Sequence, residues 1–201
     1  VLMRMNYLFL CLAFCFFTFG QEKKDSIINS IKIEQEKLVK FYLDSTTTPL
    51  ARSERKDFEG IHHFPVNLKY RVVAQLEKFD QKDTVIFPTS SGKKKRYIKY
   101  AKANFKIDGK KHSLVLYRMA DIKKLEYAKL LFLPFTDLTS NNETYGGGRY
   151  IDLEITDANS ILIDFNLCYQ PYCAYSHNGW NCPIPPQENF VNTKIKAGVK
   201  N

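Results

Sequence analysis

The sequence lacks the short motifs that identify the common catalytic and cofactor-binding folds. It contains no nucleophile elbow, no HExxH zinc motif and no glycine fingerprint for dinucleotides. It has no uncharged apolar run of the roughly 20 residues that a membrane-spanning helix needs, and it shows no internal repeat or low-complexity linker. These absences favour a binding domain over an enzyme, and they indicate no cofactor.

The N-terminus has the pattern of a secretory signal peptide. Arg4 precedes an apolar run from Tyr7 to Phe19, and Gly20 supplies the small residue at the break. We therefore predict that residues 1–20 are removed and that the mature protein begins near Gln21. The mature protein would then be exported, to the periplasm or the extracellular space, with no stable membrane span.

Two alternatives exist for this segment. The apolar run could stay uncleaved and act as an anchor. Cys15 also weakly resembles a lipoprotein site, but the bulky Phe14 directly before it disfavours lipidation. Cleavage leaves about 180 residues, which is enough for one domain with a substantial core.

The chain is basic, with a formal net charge of +9. Such a charge fits nucleic-acid binding, but export and the scattering of the lysines argue against it. The one dense run, Lys93 to Arg96, follows Ser90-Ser91-Gly92 and is typical of a solvated hairpin turn. We predict no nucleic-acid partner, and loose attraction to an anionic cell surface is the alternative.

The hydrophobic pattern predicts one helix followed by strands. Residues 22–43 show apolar spacing typical of a helix, and from residue 66 onward alternation dominates. Asp108-Gly109 indicates a hairpin turn, and Asp157-Ala158-Asn159 indicates a second hairpin between two later strands. The predicted strands are residues 66–77, 84–89, 97–107, 112–119, 129–135, 148–155, 160–165 and 193–197.

These about eight strands, without any βαβ rhythm, predict a mainly β (β-rich α+β) fold. The expected architecture is an antiparallel β-barrel or sandwich with the N-terminal helix beside it. The expected domains are a signal peptide over 1–20, a helical segment over 21–57 and a β-rich domain over 58–201.

A glycine-rich turn, Thr144 to Tyr150, is the first candidate for ligand binding. The backbone N–H groups of Gly146 and Gly147 could hold an anion, and Arg149 offers a bidentate fork. We predict that Arg149 lies at the base of a polar pocket beside Tyr145 and Asp164. The alternative is a tight bend in which Arg149 pairs with Asp152 or Asp164.

Other candidates lie just downstream. Asp164 and Asn166 leave a strand at a turn, where local capping is the simpler role, and Asp137 with Asp164 could form a carboxylate pair. Four aromatic residues could line a carbohydrate or peptide groove, or could instead pack on the proline-rich tail: Tyr169, Tyr172, Tyr175 and Trp180.

Three cysteines follow the predicted cleavage site. Cys173 and Cys182 have eight residues between them with Asn178-Gly179 midway, and a hairpin-like loop would bring them within disulfide range. We predict this bridge and a free Cys168. Two alternatives use reduced thiols: Cys173 and His177 as nucleophile and base, or a zinc ion held by Cys173, His177 and Cys182.

Five segments carry a resemblance to a known family. They read FEGIHHFPVNLKYRVVAQLEKF, FTDLTSNNETYGGGRYIDL, IDFNLCYQPYCAY, CPIPPQEN and IKAGVK. They resemble domain-of-unknown-function family 1684, DUF1684, a bacterial family without an established activity, over roughly residues 58–200. Cys168 stands where the family usually has Ala, and Gln170 where it has Asn. The resemblance therefore supports a free Cys168, and it implies no catalytic residues.

Together these patterns predict an exported β-domain of unknown biochemical function. It would bind a small ligand or a partner in the cell envelope. Because the candidate site includes Arg149, the ligand could be an anion. The alternative is a hydrolase-like enzyme that uses the region of Arg149, Asp164 and His177. A scaffold that only stabilises an envelope assembly is a third hypothesis.

Overall fold

The computed structural model describes residues 5–201 except 82, 123 and 124, with side chains from residue 21 onward except 126. It opens with one long helix, α1 (Met5–Leu43), which includes the predicted helix over 22–43 and continues towards the N-terminus. The signal-peptide prediction lies outside the described side chains and stays a prediction. No helix in the described part of the chain is long and apolar enough to cross a membrane.

The body of the protein is a curled, eight-stranded, mainly antiparallel sheet, which confirms the predicted fold class. The strands are β1 (His62–His63), β2 (Arg71–Lys78), β3 (Thr84–Pro88), β4 (Lys94–Ile107), β5 (Lys110–Met119), β6 (Leu130–Asp137), β7 (Arg149–Glu154), β8 (Ser160–Asp164), β9 (Phe190–Val191) and β10 (Val199–Lys200). The main path runs β7-β6-β5-β4-β2-β8, with β3 paired to β4 and β9 parallel to β6. A separate two-stranded ladder joins β1 to β10.

The β4–β5 hairpin forms as predicted. Asp108 and Gly109 both adopt positive φ, at 49° and 77°, as a tight two-residue turn requires. The predicted edge strand also forms, because β3 pairs with β4 and ends at Pro88, which cannot donate to a ladder.

The predicted hairpin between 148–155 and 160–165 is wrong. β7 pairs with β6 and β8 pairs with β2, so the two strands stand at opposite ends of the sheet path. Asp157 to Asn159 do make a turn, but β7 pairs with the strand just before it, and β8 pairs with β2, which is distant in sequence. An ion pair between Arg71 and Asp164, at 3.2 Å, reinforces the β2–β8 register.

The predicted strand over 193–197 is also wrong. This segment lies without ladder partners between β9 and β10. Its alternating apolar residues, Ile195 and Ala197, are nevertheless fully buried. Side chains from β6 and β7, described below, satisfy its backbone instead of a neighbouring strand.

Alternation gives the sheet two apolar faces. On β5, Leu114 and Leu116 point to one side while Val115 and Tyr117 point to the other. The first face carries the larger core, closed by Phe165, Cys168 and the buried C-terminal segment. The second face carries a mostly aromatic cluster: Phe87, Tyr97, Val115, Tyr117, Phe132 and Tyr150.

Helix α1 joins the body through its last turns. Ile31 and Tyr42 are each 3% exposed. Tyr42 stacks on Phe58 and meets the edge of Tyr175, with ring centroids 5.6 and 5.1 Å apart. Asp44 ends the helix by accepting hydrogen bonds from the backbone and hydroxyl of Thr46.

Candidate functional site

A cleft of about 450 Å³ opens on the second face of the sheet. Its volume lies within the range of small-molecule sites. Six aromatic side chains line it: Tyr97, Phe132, Tyr150, Tyr169, Tyr172 and Trp180. We call this site the aromatic cleft.

Alternation along the strands aims these rings into the cleft. Phe132 on β6 stands opposite Asp152 on β7, and Tyr150 lies two residues before Asp152 on the same face. Ring pairs meet near right angles, at 71° for Phe132 with Tyr150 and 87° for Tyr150 with Tyr169. Rings at right angles to each other can contact a bound ligand from several sides, whereas a stacked pair presents only one ring face.

A disulfide-closed loop builds the opposite wall. Cys173 and Cys182 are bonded, with Cα atoms 6.3 Å apart, and Cys168 is a buried free thiol, which are the states that the sequence predicts. The loop between them brings Trp180 to the cleft, and Tyr172 just before it meets the indole with ring centroids 4.8 Å apart.

The turn between β3 and β4 holds this loop in place. The Ser90 hydroxyl donates to the Trp180 carbonyl at 2.9 Å and accepts from the Cys182 backbone at 3.2 Å. The Ser90 backbone in turn donates to the Cys182 carbonyl at 3.0 Å. Across the cleft, the Tyr150 hydroxyl donates to the Pro183 carbonyl at 2.5 Å. The wall is therefore fixed at both ends.

Asp152 is outside the lining of the cleft, but its carboxylate lies beside it, bonded to one of the lining tyrosines. It accepts a hydrogen bond from the Tyr169 hydroxyl at 2.8 Å. Burial raises the pKa values of the hydroxyls of Tyr97, Tyr169 and Tyr172, and the Asp152 charge raises them further. Three phenols of the cleft are thus within electrostatic reach of one carboxylate.

The environment of Asp152 shifts the pKa of its carboxyl group. Asp152 is an exposed residue, yet the neighbouring groups remove part of its hydration, and this desolvation raises the pKa of its carboxyl despite the hydrogen bond from Tyr169. Carboxylates perturbed in a cleft without a compensating cation are characteristic of functional sites.

Lys95 provides a positive charge to the same cleft. It lies on β4, two residues before Tyr97 and on the same face. Desolvation lowers the pKa of its ammonium group. The indole N–H of Trp180 is shielded from solvent and has no hydrogen-bond partner in the described part of the protein.

Arg149 is not in a pocket, which corrects the first prediction from sequence. The side chain is 1% exposed. Its guanidinium donates to the Asp137 carboxylate at 3.2 Å and to the carbonyls of Ile195, Ala197 and Val199 at 2.9, 2.6 and 3.3 Å. Asp137 also accepts from the Ile195 backbone at 2.6 Å. The pair therefore binds the C-terminal segment, and Arg149 contacts neither Asp152 nor Asp164 in the described hydrogen bonds and ion pairs.

The glycine run serves the tight bend that leads to Arg149. A Cβ atom on Gly146 would lie 2.8 Å from the Asn141 side chain, and one on Gly147 would overlap the Tyr145 ring. Gly148 has φ of 84° and lies against the Phe135 carbonyl. The glycines therefore allow close packing of this bend against Asn141, Tyr145 and Phe135.

Asp164 and Asn166 act locally, as the capping alternative has it. The Asp164 carboxylate accepts from the Asn166 backbone at 3.0 Å and pairs with Arg71. Asn166 is fully buried and exchanges hydrogen bonds with the backbone of Asn67. Asp137 and Asp164 share no hydrogen-bond partner among the described contacts, so the carboxylate pair for acid–base work does not form.

The alternatives built on His177 do not form either. Cys173 and Cys182 are oxidised together, and the described residues contain no group of three side chains that could hold a metal. His177 is exposed and touches Glu54 through its backbone at 2.8 Å. Arg149, Asp164 and His177 therefore do not assemble into one active site.

Of the predicted ligand-binding residues, Tyr169 alone lines the aromatic cleft, joined there by Tyr172 and Trp180 from the predicted aromatic groove. Tyr175 packs under helix α1 instead. Asp152 and Lys95 were not predicted to belong to a ligand site. The signal was available, because each charged residue alternates in phase with a tyrosine of its strand, Tyr150 and Tyr97.

Comparison with known proteins gives a family and a fold relative. Residues 56–200 match the family described as "Protein of unknown function (DUF1684)". A search of curated proteins finds no match. An uncharacterised protein of Haloarcula marismortui, solved by solution NMR, is 32% identical with a TM-score of 0.68, over 90% of this chain and 97% of that chain. Since that protein comes from a haloarchaeon, the likeness does not place the present chain in a periplasm.

Proposed function

Because the chain belongs to the DUF1684 family, whose function is unknown, we propose a function from the site itself: the protein binds a small organic ligand in the aromatic cleft. The ligand is either free or an exposed part of a cell-envelope molecule. The binding residues are the six aromatic side chains, together with Asp152 and Lys95.

One observation carries this proposal. Six aromatic rings line one open cleft, and three of them, Tyr169, Tyr172 and Trp180, stay half-buried above a buried aromatic floor, although full burial would stabilise the fold more. A shielded indole N–H without a partner lies among them, and such a group costs stability unless a ligand or water bonds it. An apolar enclosure with a few oriented polar groups is the usual form of a small-molecule site.

The cleft contains its own reporter, because Trp180 is the one tryptophan of the sequence. We would titrate the full chain with small organic cations, anions, zwitterions and neutral sugars, and follow Trp180 fluorescence. At least one class should quench or shift the emission with a dissociation constant of about 1 mM or below.

The matched variants are Tyr172→Ala and Phe190→Ala. Tyr172 contacts the indole within the cleft, whereas Phe190 is an exposed ring on β9 outside it. The first variant should weaken the response and the second should leave it unchanged. Emission that no compound alters, in a chain that is folded by circular dichroism, would refute the proposal.

Export is part of the proposal. It is supported by the N-terminal pattern of charge, apolar run and small residue, and by a disulfide of the kind that persists outside the cytoplasm. The division of the chain into residues 1–20, 21–57 and 58–201 follows from it. Intact-mass measurement of the protein from its native host tests this, and retention of residues 1–20 would contradict it.

A further inference from the structure

Two opposite charges lie at the aromatic cleft without forming an ion pair with each other: Lys95 in its lining and Asp152 beside it. Asp152 accepts a hydrogen bond from a neutral phenol, Tyr169. Neither Asp152 nor Lys95 makes an ion pair with a residue that the structure describes. Eight ion pairs form among the residues that the structure describes, so opposite charges within reach of each other do pair in this fold.

The strand order separates the two charges. Asp152 is on β7 and Lys95 is on β4, and the path β7-β6-β5-β4 leaves two strands between them. Phe132 stands directly opposite Asp152, and it stacks on Tyr97, two residues along β4 from Lys95, with ring centroids 5.3 Å apart. The cleft therefore has a negative end, an apolar middle and a positive end.

Each end suits a group of the opposite sign. The Tyr169 hydroxyl bonds the carboxylate, and Tyr97 and Tyr172 lie within its electrostatic reach. Aromatic faces attract ammonium groups in addition to the ionic attraction. Towards the other side, Lys95 offers an ammonium group that attracts an anionic oxygen.

The two pKa shifts agree with this arrangement. Burial raises the pKa of Asp152 and lowers that of Lys95, so each group is pushed towards its neutral form. A ligand with the opposite charge at each end would relieve both effects at once.

We propose that the ligand is a charge-separated zwitterion, whose cationic group lies against Asp152 and its surrounding rings and whose anionic group lies towards Lys95. This inference rests on the proposed binding function and specifies its ligand class.

The test uses three probes of matched length in Trp180 fluorescence titrations at fixed ionic strength: 6-aminohexanoate, hexylammonium and hexanoate. The zwitterion should bind at least about tenfold more tightly than either singly charged probe, since one added charge contact contributes about that factor. Added salt should weaken the zwitterion's binding more than that of a neutral sugar.

Two variants separate the ends of the site. Asp152→Asn should weaken 6-aminohexanoate and hexylammonium by about tenfold and leave hexanoate no weaker. Lys95→Met should do the reverse. The matched controls are Glu154→Gln, two residues along β7 from Asp152, and Lys94→Met, next to Lys95; neither residue lines the cleft, and both variants should bind all three probes as the unchanged protein does.

The outcomes separate this proposal from the one it rests on. Equal affinity for the three probes, or tighter binding of a neutral sugar, would show a binding cleft without charge selection, and the zwitterion proposal would be wrong. Binding of a single ion alone, unaffected by one of the two variants, would also overturn it. If no compound class changes the Trp180 fluorescence, the binding function would be refuted as well.

Discussion

The two faces of the sheet treat polar groups in opposite ways. On the first face, Arg149 and Asp137 are 1% and 2% exposed, and each finds several partners within the fold. On the second face, Asp152 and Lys95 have incomplete partnerships and remain in contact with solvent. A buried charge with internal partners indicates a structural role, whereas a desolvated charge without one indicates a site completed from outside.

The largest expected effect breaks the first face. Arg149→Met leaves the Asp137 carboxylate buried without its cation, and loss of one partner of a buried pair costs about 3–5 kcal/mol of unfolding free energy. Urea unfolding followed by circular dichroism measures it. The double variant Arg149→Met with Asp137→Asn should recover part of the loss, because no lone charge remains. A single variant as stable as the unchanged protein would remove the structural role assigned to this face.

Removal of the disulfide tests both the stability of the fold and the order of the Trp180 wall. Replacing Cys173 and Cys182 by Ser opens a loop of about ten residues, and the chain-entropy relation gives a loss of about 2.7 kcal/mol. The Trp180 wall should also loosen, so ligand-induced quenching should weaken. Ser90→Ala, with the disulfide intact, should reproduce the loosened wall with a smaller loss of stability, of about 1 kcal/mol. Unchanged quenching in the serine double variant would show that the bridge does not hold the wall.

Acid should weaken the side of the fold where α1 and β1 meet. Burial, with a smaller contribution from His62, lowers the pKa of His63 from 6.5 to about 4. The unfolded chain therefore protonates His63 at higher pH than the folded chain does, and the stability from neutral His63, complete above pH 6.5, is lost as pH falls towards 4.

His63→Gln should remove about 2 kcal/mol of that loss, a figure reduced from the full shift because the ring is only partly buried. Unfolding free energies at pH 7 and pH 4 measure the effect. The exposed His177 gives the control variant, His177→Gln. Equal acid sensitivity of all three proteins would exclude His63 as the source.

The smallest effect on stability sharpens the comparison most. Asp152→Asn keeps the acceptor for Tyr169 and removes a charge that burial disfavours. Because a raised carboxyl pKa in the folded state means that stability decreases as pH rises through that pKa, the variant should be as stable as the unchanged protein, or slightly more stable, at pH 7. Thermal melts at pH 7 measure this. Marked destabilisation would make Asp152 a structural residue and weaken both proposals.

Local patterns allowed most elements to be predicted. Alternation through Leu114, Val115 and Leu116 indicated both faces of β5, and Asn178-Gly179 indicated the turn that brings Cys173 to Cys182. The turn around Asp157 to Asn159 was also real, but a turn does not specify which strands pair. β7 takes β6, the strand before it, and β8 takes β2, which lies about 90 residues earlier in the sequence.

The site was harder to predict because its chemistry depends on partners far apart along the chain. A glycine run before an arginine indicates close approach, yet nothing local shows that the approaching group is a set of carbonyls 46–50 residues later. Ile195 and Ala197 alternate with polar residues as in a strand. Nothing local shows that side chains of β6 and β7, rather than a neighbouring strand, bond the backbone of this segment. In the sequence, Asp152 resembles an ordinary exposed strand residue. Its link to the cleft is the hydrogen bond from Tyr169, which lies 17 residues further along the chain.

The position of the C-terminal segment affects how the chain is made. Ile195, Ala197 and Val199 are fully buried in the body of the domain, and Gly198 accepts a hydrogen bond from the Phe64 backbone at 2.9 Å. During synthesis these residues leave the ribosome after every strand of the main sheet path. The first-face core therefore stays open until translation has passed residue 199, and domains otherwise tend to fold as units as they emerge.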